Sequence, residues 1–333
     1  MTARGTRAGG RRGGYHHHGR SSDRRSRQHG DSRDPRVDGP RLVSLQALTK
    51  VRQDDAYANL ILPGLLERAR LDRRDAGFAT ALTYGALRLR GRYDAVIAHC
   101  SDRPVSRMDA VVLDVLRLGS HQLLGMRVPG HAAVSATVDL AAYAAGRGAA
   151  TFVNAVLRRV SERDLDAWLA VLRAEAPDGV EALAAVESHP VWVVKAMRQA
   201  LLANGRSEDE LEALLQADNA EPKVVLCARP GLIAPERLAG EAEAATRQEP
   251  CPGDVSPCAV VLAGGDPGRI RAVRDSRAGV EDEGSQLVAL MLAEAPVEGR
   301  DERWLDLCAG PGGKAALLGA CAAGRGARLT ANE

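Results

Sequence analysis

The sequence predicts a multidomain chain of the α then α/β class: an all-helical part, a helical connector, a small α/β module and the opening βαβ of a doubly wound sheet. Three observations carry this. Apolar residues recur at helical spacing from about Leu42 to Asn219, with almost no strand signal. Short β-branched runs begin only after Pro222. Aromatics make up 3% of the chain against an apolar content of 45%, so Ala, Leu and Val must fill the cores, which suits helix packing.

Residues 1–41 hold eleven arginines and four aspartates with no lysine or glutamate, a charge of +7 in a chain whose formal net charge is only +2. Such an Arg/Gly/Ser-rich stretch buries too little to fold and is expected to be a disordered tail, suited by charge to phosphate backbones. His16–His18 belong to it and have no spaced partners for a metal.

Residues 42–160 read as one compact helical domain. Arg74–Cys100 places Phe78, Leu82, Ala86 or Leu87, and Leu89 at near-helical spacing. "MDAVVLDVLRLGSHQLL" and "HAAVSATVDLAAYAAG" repeat the pattern, each ending near a glycine suited to a helix C-terminus. "TFVNAVLRRV" aligns Val153, Val156, Leu157 and Val160. Residues 161–220 form the connector, in which Pro190 favours a new helix start and Ser207 with Glu210 makes a capping-box pattern.

In residues 221–280 "KVVLCA" and "AVVLAG" are strand-like and "PERLAGEAEAAT" is helical. A helix from Ser285 leads into the last segment. There "RWLDLCAG" reads as a buried strand, "GPGG" as a loop, "KAALLGACAA" as a helix stopped at Gly324, and "ARLTANE" as a second strand ended by Glu333. A glycine loop between strand and helix admits a ligand close to the backbone and offers it helix N–H groups, and a carboxylate after the next strand suits a ribose diol. A P-loop is excluded, because Cys308 and Ala315 stand where Gly and Ser/Thr are required. Gly310, Gly312 and Ala315 match a dinucleotide fingerprint formally, and S-adenosylmethionine fits the same pattern. Spacing leaves these two open.

No apolar run reaches the ~18–20 residues of a membrane span, and the six cysteines form no CxxC pair. No membrane partner, metal or disulfide framework is expected, and the location expected is cytoplasmic. His99, His121 and His131 share no ligand spacing.

"DLCAGPGGK" resembles the first cofactor motif of the RNA 5-methylcytosine methyltransferases. "VEDEGSQLVAL" is similar to the Q-D-E-x-S-Q segment that precedes it there, with Glu281 where Gln is usual. "SHPVWVV" and "DNAEPKVVLCARP" resemble two further family segments, the second with Cys-Ala-Arg in place of Arg-Val-Asn. "DVLRLGSHQLL", "VPGHAAVSATVDLA" and "FVNAVLRRV" resemble the NusB-type RNA-binding domain. Together these resemble the bacterial RsmB/Sun/Fmu-type ribosomal RNA (cytosine-5) methyltransferases over about residues 42–333.

The resemblance implies a NusB-like domain at 42–160, an RNA-binding module at 221–280 and, at 281–333, the beginning of a Rossmann-like methyltransferase domain. It implies S-adenosyl-L-methionine held by Cys308, Ala309, Gly310, Pro311, Gly312, Gly313, Lys314 and Glu333, and ribosomal RNA, 16S by analogy, as substrate. It implies a cysteine thiolate that adds to carbon 6 of cytosine so that carbon 5 can take the methyl group. That nucleophile is expected beyond Glu333, which makes neither Cys308 nor Cys321 catalytic and the chain as given inactive. Arg88, Arg90, Arg92, Arg158 and Arg159 are candidates for RNA phosphates, and Asp306 for ordering the loop. The rival readings are a non-catalytic NusB-like RNA-binding protein with a vestigial methyltransferase portion, and a nicotinamide-dependent enzyme.

Overall fold

A computed structural model describes residues 37–333. These divide into two compact units, one ending at Gln216 and the other running from Ala217 to Glu333. Residues 1–36, most of the expected disordered tail, lie outside the described residues. The tail reading fails at its far end. Residues 39–41 are the first turn of a helix, because Asp38 accepts the backbone N–H of Arg41 and Pro40 suits the opening turn.

The first unit is helical throughout: α1 (Gly39–Asp54), α2 (Ala58–Ala69), α3 (Arg73–Arg88), α4 (Arg90–Cys100), α5 (Ala110–Leu124), α6 (Gly130–Val160), α7 (Leu165–Glu175), α8 (Gly179–Val186), α9 (Val191–Ala203) and α10 (Glu210–Asp218). Aspartates start many of them. Asp72, Asp109, Asp164 and Asp178 each accept helix N–H groups that have no intrahelical partner. The near-helical spacing over Arg74–Cys100 is carried by two helices that part at Leu89, whose backbone leaves helical geometry. The two helices expected after His131 are both present within α6 and meet at Gly146, whose backbone is non-helical (φ +84°). Pro190 directly precedes α9, and Glu210 receives the N–H of Ser207 at 3.3 Å.

One core gathers Leu82, Tyr93, Ile97, Leu116, Leu140 and Leu157, and it continues past Val160. Trp168, Leu172 and Val186 belong to it, and the Trp168 indole donates to the Val160 carbonyl at 2.9 Å. Several polar groups inside it are paired, while the buried Thr83 and Ser120 hydroxyls have no hydrogen-bond partner among the described residues. The Tyr93 hydroxyl and His121 Nδ1 lie 2.7 Å apart, and Arg117 forks onto Asp94 with both contacts at 2.7 Å. Burial pushes the His121 imidazole down to about 4. Gly85 and Gly125 make its space: a Cβ at Gly85 would stand 2.0 Å from Nε2.

In the second unit, β1 (Val224–Ala228), α11 (Pro235–Thr246), β2 (Cys251–Pro252), β3 (Ala259–Leu262), α12 (Arg271–Arg274) and β4 (Ala278–Val280) build an antiparallel sheet of order β2-β3-β1-β4. Its core is Leu226, Leu238, Val260 and Ile270. Then come α13 (Glu283–Glu294), β5 (Arg303–Asp306), α14 (Gly313–Gly324) and β6 (Arg328–Ala331), with β5 and β6 paired in parallel. Leu317, Leu318, Ala289 and Ala293 pack with Trp304, Leu329 and Cys321. The helix expected from Ser285 begins two residues earlier, because Asp282 caps it through the Gly284 N–H.

Candidate functional site

The β5–loop–α14–β6 unit brings most of the sequence-predicted residues together. Asp306 ends β5 and orders the loop from both sides: its Oδ1 accepts the Cys308 N–H at 3.1 Å, and its carbonyl accepts the Asn332 N–H at 2.8 Å. The Ala309 N–H donates to the Asn332 carbonyl at 3.0 Å, which ties the loop to the end of the next strand. Gly312 takes a positive φ of +110° just before α14, a backbone state that glycine adopts without steric cost. The first intrahelical bond runs from the Ala316 N–H to the Gly312 carbonyl, so the N–H groups of Gly313, Lys314 and Ala315 lie ahead of the ladder.

Glu333 meets this loop at Gly310. A Cβ on Gly310 would fall 2.0 Å from one carboxylate oxygen of Glu333 and 2.6 Å from the other. The carboxylate therefore rests on bare backbone, and a side chain at position 310 would have to push it aside. The expectation that Glu333 ends β6 needs correction: the strand stops at Ala331, and the acid lies two residues past it. The buried strand expected from "RWLDLCAG" is also corrected. Trp304 and Asp306 are part-sheltered, while Leu305 and Leu307 are 59% and 65% exposed. The reason is that β5 pairs with β6 alone among the described residues, and the helices that cover Trp304 lie on one face.

Lys314 is exposed on the first turn of α14. Behind it stands Glu281, which sequence reasoning noted only as a departure from Gln. It is 8% exposed, and its Oε1 has no hydrogen-bond partner among the described residues. Burial pushes its carboxyl up, opposed by the Lys314 charge, by a hydrogen bond with the Cys227 thiol and by Arg229. The rest of its segment is structural. Glu283 accepts the N–H groups of Asp254, Val255 and Ser256 at 3.2, 2.8 and 2.9 Å, and Gln286 accepts the Ser256 hydroxyl at 2.6 Å.

Cys308 is exposed on the loop, and Cys321 is part-buried in the helix beyond, its thiol pushed up by burial. Cys227 and Cys258 are buried side by side. Their mutual hydrogen bond, and burial, push the Cys227 thiol up. No group of three His, Cys, Asp or Glu among the described residues could hold a metal ion. No helix there is long and apolar enough to cross a membrane.

The arginines of the first unit separate. Arg90 and Arg158 are exposed and Arg88 is half-buried. Arg159 is exposed and donates to the Cys100 carbonyl at 3.1 Å. Arg92 is withdrawn from any phosphate role: it is buried, donating to the Val186 carbonyl at 2.5 Å and pairing with Glu187 at 3.4 Å. His99 pairs with Glu175 at 3.2 Å, and His131 is exposed.

Residues 39–162 match the NusB family. The Mycobacterium tuberculosis H37Rv protein named "Putative methyltransferase Rv1407" is 48% identical over 306 residues, covering 91% of this chain and 65% of that protein. Ribosomal RNA small subunit methyltransferase B of Pseudomonas putida KT2440 is 33% identical over 288 residues, covering 84% of this chain and 59% of that one. The crystal structure of PH0851 shares the fold with a TM-score of 0.64 at 16% identity, over 88% of this chain and 62% of that chain. The chain thus spans less than two thirds of these relatives. It carries a NusB-family domain at residues 39–162 and is homologous to the ribosomal RNA small subunit methyltransferase B family.

Proposed function

We propose that this protein serves S-adenosylmethionine-dependent methylation of carbon 5 of a cytosine in small-subunit ribosomal RNA, in the cytoplasm. The observation that carries the reading is the Glu333 carboxylate seated on Gly310, at the mouth of a strand–loop–helix turn. The site fits such a cofactor. A carboxylate stands ready for ribose hydroxyls, and Gly310, Gly312 and Gly313, lacking side chains, let an adenosine approach the loop backbone. The leading N–H groups of α14 suit the carboxylate of an amino acid, with Lys314 beside them. When bound, S-adenosylmethionine supplies an electrophilic methyl group.

The residues of this chain hold and orient that group. Asp306 keeps the loop shaped through the Cys308 N–H, and Gly310 gives Glu333 its seat. The NusB-family domain, with Arg88, Arg90 and Arg158 on its surface, is proposed to hold the RNA, and the four-stranded module to assist it. The thiolate that adds to carbon 6 of the base is proposed to come from the part of the relatives that lies outside the match, since Cys308 belongs to the loop and Cys321 to the core behind it.

Titration calorimetry of the purified protein with S-adenosylmethionine and, separately, with a nicotinamide dinucleotide tests the reading. Binding of the first and not the second is expected. The reverse outcome would make this a nicotinamide site and remove the methyltransferase proposal.

A further inference from the structure

Glu281 is an expensive residue to leave as it stands. A buried carboxylate oxygen without a partner forfeits hydration and receives nothing in exchange. Its Oε1 and Cδ both lie 3.5 Å from the point where a Cβ on Gly313 would stand, so the carboxylate is aimed at the first turn of α14. The other polar groups near it leave that oxygen open. Its backbone N–H bonds the Val225 carbonyl at 3.0 Å, and its carbonyl accepts from Gln286 at 2.8 Å. Cys227 touches the carboxyl through its thiol, and Arg229 acts on it only through charge.

Two opposite charges thus flank one end of the loop. Lys314 is exposed on the first helical turn and Glu281 is buried behind Gly313. A zwitterion matches such a pair, its carboxylate toward Lys314 and the helix N–H groups, and its ammonium toward Glu281. We propose that Glu281 receives the α-ammonium of the cofactor's amino-acid end, and so selects nucleosides that carry an amino acid. This rests on the reading of the loop as an S-adenosylmethionine site. An ammonium would supply the missing donor to Oε1 and a counter-charge, and charge-assisted bonds of this kind are among the stronger ones.

The test compares three ligands by calorimetry on the wild type and Glu281→Gln. They are S-adenosylmethionine, S-adenosylhomocysteine (the same amino acid without the sulfonium charge) and 5′-methylthioadenosine, which has no amino acid. Glu281→Gln is expected to weaken the first two by about tenfold and leave the third unchanged. Glu281→Asp keeps the charge but shortens its reach, and should fall between. Thermal unfolding of the ligand-free Gln variant is expected at or above the wild-type temperature, because an unpaired buried charge has been removed.

Unchanged affinity for all three would overturn the inference and leave the loop reading intact. An equal loss for 5′-methylthioadenosine would do so too, by assigning Glu281 to loop shape. A loss confined to S-adenosylmethionine would move the carboxylate to the sulfonium. A wild type that binds none of the three would instead sink the reading of the loop, and the inference with it.

Discussion

At the scale of single residues, the contact between Gly310 and Glu333 is the closest in the loop, since an added methyl group would have to push the carboxylate aside. Glu333→Ala is expected to weaken S-adenosylmethionine by about ten- to a hundredfold, the cost of a lost charge-assisted bond of roughly 1.5–3 kcal/mol. Gly310→Ala should displace the same carboxylate and lose at least as much. The double variant should lose little more than the worse single one, because both act through one contact. Additive losses in calorimetry would mean that the two residues serve separate ends. His121 gives a second test, in which pH is the variable. Its folded value of about 4 lies below its ordinary 6.5, so the unfolded chain takes up the proton first, and stability falls as pH drops below about 6.5. Between pH 7 and 5 that is a loss of about 2 kcal/mol in urea unfolding, absent from a His121→Gln variant. Arg92 shows what the sequence hides at this scale. An arginine beside Arg88 and Arg90 reads as part of a basic face, and only the fold reveals that it turns inward to Val186 and Glu187.

At the scale of elements, periodicity located most helices and strands, because amphipathic spacing and β-branched runs are local properties. It does not show the break between α3 and α4, because a single non-helical residue, Leu89, does not disturb the apolar pattern. It read β5 as buried because Trp304, Leu305 and Leu307 are apolar whether or not anything covers them. The candidate loop was legible as a glycine pattern after a strand, whereas Glu281 was not, because its proximity to Gly313 spans some thirty residues of chain and depends on the end of β4 meeting α14. The core of the helical unit makes the further claim that α7 and α8 are integral to it, and we propose its boundary near Glu187 in place of Val160. Trp168→Ala is expected to cost about 3–5 kcal/mol. A fragment of residues 37–160 should unfold at a lower temperature than one of residues 37–189, by circular dichroism. Equal melting temperatures would return α7 and α8 to a connector.

At the scale of the whole molecule, the formal charge of +2 conceals a strongly basic first stretch followed by a net acidic remainder. If the helical unit holds RNA through phosphates, affinity for a small-subunit ribosomal RNA fragment should fall steeply with salt. Arg90→Ala and Arg158→Ala should each weaken binding and reduce the salt slope by about 0.9 per lost contact, whereas Arg92→Ala should lower the unfolding temperature and leave the slope alone. A filter-binding series over salt concentration separates these outcomes, and an unchanged slope for both exposed arginines would remove them from the interface. The strand order β2-β3-β1-β4 has a consequence for how the chain is made. Among the described residues β1 is the first strand to be synthesised, yet it lies between β3 and β4, whose residues follow it by some thirty-five and fifty positions. At about 5–20 residues per second, both of its edges stay open for several seconds of synthesis. The helical unit precedes it in the chain, so the apolar stretch Val224–Ala228 waits for its neighbours while tethered to a domain whose own core is already synthesised.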